Sequence, residues 1–216
     1  MATNRSKNPK RVVRSCYDEI AERFEQFALK VRQDERDRYT RLLLNRLDKG
    51  ARVLELGCGS GLPTTRELAR RFDVTGVDLS PVQIGRARAN VPRASFLCAD
   101  MTGLQFAPLS FDAVISFYAF FHLPRTQQRK LINKISMWLK PGGLLVLTMG
   151  TVDTPALFEQ LLGAESYVSS YDSDTNRQIV SSAGFELVSA QEETADEFGV
   201  PVTFLWVVAR RPHPED

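Results

Sequence analysis

Residues Arg52 to Gly61 read RVLELGCGSG, and the fold follows from how this stretch is read. Val53, Leu54 and Leu56 make a short apolar run headed by a β-branched residue and closed by glycines. Such a run marks a buried strand of a parallel sheet. Gly57, Gly59 and Gly61 follow at alternate positions. Glycine there lets the backbone take positive φ and come close to a ligand. Leu62 to Phe72 then shows a helical pattern, with Leu62, Leu68, Ala69 and Phe72 as its apolar positions. Strand, glycine turn and helix in succession make a nucleotide-binding context.

The ligand is narrowed by two acids. A G-x-G-x-x-G fingerprint would need glycine where Leu62 stands. Glu55, two residues before the first glycine, would repel a pyrophosphate on the turn and suits an ammonium group. Asp78 lies 21 residues after Gly57, at the end of Val74-Thr75-Gly76-Val77. An acid at that spacing can take both hydroxyls of a ribose. The pattern asks for a ribose, a positive charge and no phosphate, which S-adenosylmethionine (SAM) satisfies.

ELGCGSG, then VDLS, then CADM at Cys98 to Met101, resemble motifs I, post-I and II of the class I SAM-dependent methyltransferases. FDAVIS (Phe111 to Ser116) and LKPGGLLVLT (Leu139 to Thr148) resemble the fourth and fifth strands of that family. The likeness is close over residues 38 to 150 and looser beyond. It implies an α/β, Rossmann-like three-layer αβα sandwich. Its seven-stranded, mostly parallel sheet would run in the order 3-2-1-4-5-7-6, with the last strand antiparallel. It implies that Glu55, Gly57, Cys58, Gly59 and Gly61 hold the methionine end of SAM. Asp78 would hold the ribose, Asp100 the adenine amino group and the Met101 amide a ring nitrogen, with Leu79 and Phe117 also at the cofactor. The product would be S-adenosylhomocysteine (SAH), and no metal is expected. The Asp/Asn-Pro-Pro-aromatic motif of many amino-group methyltransferases is missing after the fourth strand, which argues against DNA as substrate.

The 216 residues suit one α/β unit with a small elaboration, and 43% apolar residues can fill its core. A net charge of +2 does not call for nucleic acid or a membrane. No apolar run has the length of a membrane span, and the N-terminus lacks an apolar signal region, so a cytoplasmic protein is expected. Cys16, Cys58 and Cys98 offer neither a disulfide framework nor a zinc pattern.

Residues 1–35 read as a basic arm and a lid helix, and 36–216 as the SAM-binding domain. The arm holds Arg5, Lys7, Lys10, Arg11 and Arg14 and reads as a solvated terminus, with phosphate binding as the alternative. Ser15 to Val31 is periodic as one helix through Ile20, Phe24, Phe27, Ala28 and Val31. Tyr17 to Ala21 resembles the lid of small-molecule members of the family, with Tyr17 at the SAM carboxylate, at the substrate, or simply packed. Asp34 to Asp48 reads as a helix with Leu42, Leu43, Leu44 and Leu47 inward and Arg36, Arg38, Arg41 and Arg46 mostly outward.

Ligands in open α/β sheets sit at the carboxyl ends of strands, so the stretch after Phe111–Phe117 should face the methyl acceptor. Tyr118, Phe121 and His122 are substrate residues on this reading, with Phe120 beside them and Phe24 and Phe27 opposite. His122 reads either as a general base or as a loop former before the next helix. Residues 150–172 lack a clear period and read as a substrate-side insertion, with Tyr167 and Tyr171 at the acceptor or in ordinary packing. Phe185 to Val188 and Thr203 to Ala209 read as the last two strands, joined by a polar stretch. The function expected is methyl transfer to a small molecule by a monomer or homodimer. An RNA or protein substrate is the alternative, and a non-catalytic SAM binder stands third.

Overall fold

Val53, Leu54 and Leu56 have no exposed surface, as a strand covered on both faces requires. In the computed structural model, which describes residues 7–197 and 199–213, they belong to β1 (Arg52–Leu56). β1 lies between β2 (Asp73–Asp78) and β4 (Phe111–Ser116), parallel to both. β3 (Ser95–Cys98) extends the sheet beyond β2, and β5 (Leu139–Met149) extends it beyond β4.

Two further strands, β6 (Thr154–Leu161) and β7 (Ala164–Ser170), pair only with each other. The sheet is completed by β8 (Glu186–Glu197) and β9 (Val200–Arg210), giving the order β3-β2-β1-β4-β5-β9-β8. β9 runs antiparallel to β5 and to β8. With the separate hairpin set aside, this is the expected seven-stranded order, antiparallel last strand included. The last pair runs well past Val188, through the stretch read as a polar connector, because its outer part is a largely solvent-facing ribbon.

Side chains alternate across a strand, so β1 feeds two cores. Leu54 and Leu56 pack with α6 (Arg125–Trp138) and α7 (Ser173–Ser182). Val53 packs on the other face with α3 (Gln33–Arg46), α4 (Thr64–Leu68) and α5 (Pro81–Asn90). Glu55 is carried by the same alternation towards α4 and α3.

The N-terminal segment departs from the single expected helix. α1 spans Pro9–Glu19 and α2 spans Ala21–Ala28, with a break at the fully buried Ile20. Asn8 caps α1 by accepting hydrogen bonds from the Lys10 and Arg11 amides, and Pro9 opens it. Much of the expected basic arm is therefore helix, while Arg5 falls outside the described residues. Leu62 to Phe72 is likewise shorter as a helix than its pattern suggested, with regular structure only over α4.

Polar contacts tie α1 and α2 over the carboxyl ends of β1, β2 and β3. Lys10 Nζ lies 2.5 Å from Asp100, and the Ser80 hydroxyl donates to Asp18 at 2.5 Å. Glu25 accepts from Arg86 at 2.7 Å and from Asn90 at 3.1 Å. Partly exposed pairs of this kind contribute about 1 kcal/mol or less each. Glu25→Ala is therefore expected to speed amide hydrogen exchange across residues 21–28 without changing β1, read by mass spectrometry.

Candidate active site

The glycine turn is fixed by its neighbour strand. The Gly57 and Cys58 amides both donate to the Val77 carbonyl, at 2.7 and 3.0 Å. Gly57 has φ +80°, and a Cβ there would stand 2.2 Å from the Ala119 Cβ. Only glycine fits both demands. Asp78 closes the turn: one carboxylate oxygen accepts from the Gly59 amide and the other from the Ser80 amide, each at 2.9 Å.

Four acids line the space above this turn, Glu25 of α2 from the roof side and Glu55, Asp78 and Asp100 from below. Glu55 is buried and accepts from the Thr65 hydroxyl at 2.5 Å. Burial pushes its carboxyl up to about 7, although the Thr65 bond and the nearby Arg36 charge pull the other way. Burial also raises Asp78, against the pull of the Ser80 and Gly59 amides. For Asp100, burial is outweighed by the combined Lys10 and Thr102 hydrogen bonds, which hold the carboxyl below its ordinary value. Asp100 is thus already engaged on both oxygens by Lys10 and Thr102.

These groups line a cavity with about 920 Å³ of non-protein space, part of it open to solvent. Its floor is Glu55, Gly57, Cys58, Gly59, Asp78, Leu79, Asp100, Met101 and Phe117, and its roof is Lys10, Val13, Tyr17 and Phe24. A second cavity of about 1040 Å³ adjoins it and shares Tyr17, Phe24, Arg36, Tyr118 and His122 with it. The second is walled by two stacked pairs, Phe24–Phe27 and Phe121–Phe204.

His122 stands where the cavities meet. Its Nδ1 lies 2.7 Å from the Tyr167 carbonyl oxygen, which can only accept, so Nδ1 carries the hydrogen. Nε2 is left with its lone pair and accepts from the Tyr17 hydroxyl at 2.8 Å. Burial lowers His122 to about 4, so the ring is neutral at pH 7. Burial likewise raises the Tyr17 phenol well above its usual value.

Most of the sequence-derived residues gather here, with four exceptions. Gly61 turns against Ala87 and Val91 of α5 and does not line the cavity. Tyr167 contributes its carbonyl, while its ring packs on Phe158. Tyr171 stacks under Arg125 and borders the core rather than either cavity. Phe120 is likewise fully buried in the core instead of forming a cavity wall.

Lys10 and Arg36 are among the cavity residues that the sequence pattern does not single out, as are Thr64 and Phe204. Lys10 had been read as part of a solvated arm. Arg36 was expected to face outward, but only 7% of it is exposed. Its signal is the spacing Arg36, Tyr39, Thr40, Leu43, the buried face of α3 at i, i+3, i+4 and i+7.

A family model described as a methyltransferase domain matches residues 53–143. An uncharacterized methyltransferase of Synechocystis is 34% identical over 113 residues, covering 51% of this chain and 53% of that protein. The 2-methyl-6-phytyl-1,4-hydroquinone methyltransferase of the same organism is 38% identical over 109 residues, covering 48% and 33%. Residues 53–143 thus match a methyltransferase domain, in line with the resemblance of the motifs to the class I SAM-dependent methyltransferases. Its fold is shared with magnesium protoporphyrin IX methyltransferase of Synechocystis, at TM-score 0.73 and 18% identity over 97% of this chain and all of that one. The chain spans about half or less of the length of the two curated relatives.

SAM is the methyl donor of this family, and the cavity suits it. Acids flank the turn where a dinucleotide would place phosphates. This arrangement keeps Glu55 in the core at a cost to stability. With the carboxyl raised to about 7, the folded state holds a proton that the unfolded chain releases above about 4.5. Glu55 therefore lowers stability as pH rises through that window. Glu55→Gln is expected to match the parent near pH 4.5 and to exceed it by about 3 kcal/mol at pH 8, from a shift of 1.36 kcal/mol per unit. Urea unfolding measures this, and SAH affinity should fall in the same variant.

Proposed function

We propose that this protein transfers the methyl group of SAM to a small, planar acceptor seated in the second cavity. The observation that carries the reading is the junction of the two cavities at His122, Tyr17 and Tyr118. The cofactor side is rich in acids and glycine backbone, and the far side has stacked aromatic walls. A roof of α1 and α2 over the first cavity favours a small acceptor over a folded nucleic acid. An aromatic acceptor also agrees with the Synechocystis relative named as a 2-methyl-6-phytyl-1,4-hydroquinone methyltransferase.

Glu55 holds the ammonium of the methionine end, Asp78 the ribose and Asp100 the adenine edge. Asp100 can do so while keeping Lys10, since an ionised carboxylate accepts about four hydrogen bonds. The SAM, when bound, supplies a methyl on a cationic sulfonium whose charge disappears on transfer. The chain's main contribution is alignment within a dry site. His122 is the base: the acceptor hydroxyl gives its proton to the Tyr17 oxygen as Tyr17 passes its own proton to Nε2. The proton ends on the imidazole, so the site's net charge is kept. Charge conservation matters in a buried site, where an added net charge is costly.

The test starts with SAH binding by calorimetry. Asp78→Ala should weaken it about tenfold or more, the worth of a hydrogen bond to a charged group. Unchanged affinity would remove Asp78 from the ribose. A homocysteine-release screen over phenols, thiols, amines and carboxylates then finds the acceptor. On that acceptor His122→Gln and Tyr17→Phe should each lower turnover about a hundredfold, within the usual range for a general base, and leave SAH affinity unchanged.

A further inference from the structure

We propose that Arg36 and Tyr118, with Thr64 beside them, form a receptor for a carboxylate in the wall shared by the two cavities. The cofactor source of that carboxylate rests on the methyltransferase reading above; the receptor itself rests on the three side chains.

Arg36 is 7% exposed, Tyr118 8% and Thr64 5%. The Arg36 Nε, the Tyr118 hydroxyl and the Thr64 hydroxyl are all buried donors without a hydrogen-bond partner among the described residues. All three residues line the first cavity, and Arg36 and Tyr118 also line the second. The guanidinium carbon of Arg36 lies 4.3 Å from the centre of the Tyr118 ring, so the two are held as one unit. Buried donors are nearly always satisfied in folded proteins, so three together mark a place for an acceptor.

The neighbouring arginine shows the contrast. Arg32 is saturated by Glu35, Glu197 and the Val202 carbonyl. Arg36 forms no ion pair with any carboxylate among the described residues. Glu55 faces the same cavity and acts on Arg36 through its charge, yet does not bond to it. A separated buried acid and base suit a ligand carrying both charges, as the amino-acid end of SAM does. Backbone strain supports the same assignment. Tyr118 sits at φ +57°, a left-handed conformation unusual for an aromatic residue, and its amide is anchored on the Thr148 hydroxyl. Such strain collects at ligand sites. The chemistry recognised is a carboxylate, and it has two sources: the methionine end of the cofactor, or an acidic group on the acceptor.

Binding of SAH and of 5′-methylthioadenosine, which lacks the amino-acid end, separates them. With a cofactor source, Arg36→Gln weakens SAH about tenfold to a hundredfold and leaves 5′-methylthioadenosine within threefold, as expected for lost charge-assisted bonds. Arg36→Lys recovers only part of the loss, because lysine lacks the planar fork. Tyr118→Phe and Thr64→Val each give a smaller SAH-specific loss. With an acceptor source, SAH affinity holds in Arg36→Gln, and the SAH-loaded parent prefers 4-hydroxybenzoate over 4-hydroxybenzamide while the variant does not. Unchanged SAH affinity in Arg36→Gln with no carboxylate preference in the parent overturns the receptor. Equal losses for SAH and 5′-methylthioadenosine, with a fall in melting temperature, also overturn it by assigning Arg36 a structural role. A parent that binds neither nucleoside sinks the methyltransferase reading and the cofactor source with it, an outcome read on the parent alone.

Discussion

The period-two alternation of β1 is the constraint on which the rest depends. A central strand must hide both faces, and Val53, Leu54 and Leu56 do so at no exposure. The same geometry drives Glu55 into the core opposite α4, where among the described residues only the Thr65 hydroxyl bonds to its side chain. A carboxylate in that position is costly unless something compensates it. The chain then leaves β1 through a turn whose amides are committed to Val77 and Asp78, so the turn cannot relax away from the acid. Sheet register, turn and acid are one unit, and the cavity is its consequence.

The layers around that unit differ in how firmly they are held. α6 and α7 pack Leu131, Ile132, Ile135 and Val180 against the sheet at almost no exposure. α1 and α2 bring fewer buried side chains, chiefly Val13, Cys16, Ile20, Ala21 and Ala28, and rest on polar contacts at Asp100, Ser80, Arg86 and Asn90. Such contacts are individually weak. The roof of the cavity is therefore the part with the lowest cost of opening. Lys10 couples the roof to the floor at Asp100, so opening and release of Asp100 are the same event.

The sheet was legible because each of its central strands is an apolar run ended by glycine, acid or aromatic residues at fixed spacing. The cofactor acids were legible for the same reason: Glu55, Asp78 and Asp100 each end or approach the end of a strand. The β6–β7 hairpin was not, because nearly all of β6 is exposed and no alternation of apolar and polar residues marks a face. The break at Ile20 was hidden because apolar residues continue at helical spacing on both sides of it. Arg36 escaped because a charged residue on an amphipathic helix is ordinarily outward. Its place on the Tyr39–Leu43 face outweighed its charge. Tyr167 was flagged for its ring, whereas its carbonyl is what fixes the His122 tautomer, and a backbone role leaves no trace in residue type.

The departures from ordinary folding rules converge on one place. A carboxyl in a central strand, an arginine on the buried face of a helix, a tyrosine at positive φ and a neutral buried histidine each weaken the fold locally. Scattered through a chain, they would read as tolerated defects. Here Glu55, Arg36, Tyr118 and His122 all line the first cavity, and the last three also line the second. Sequences depart from local consistency mainly where function requires it. The convergence is independent of the glycine motif, since three of the four residues lie outside it. Two separate lines thus lead to the same wall: the spacing of motifs along the chain, and the concentration of unfavourable burial in space. The first places the glycine turn and the acids Glu55, Asp78 and Asp100 on the cavity's floor. The second marks His122 and Arg36 as the residues whose burial makes sense only when a ligand and its partner are present.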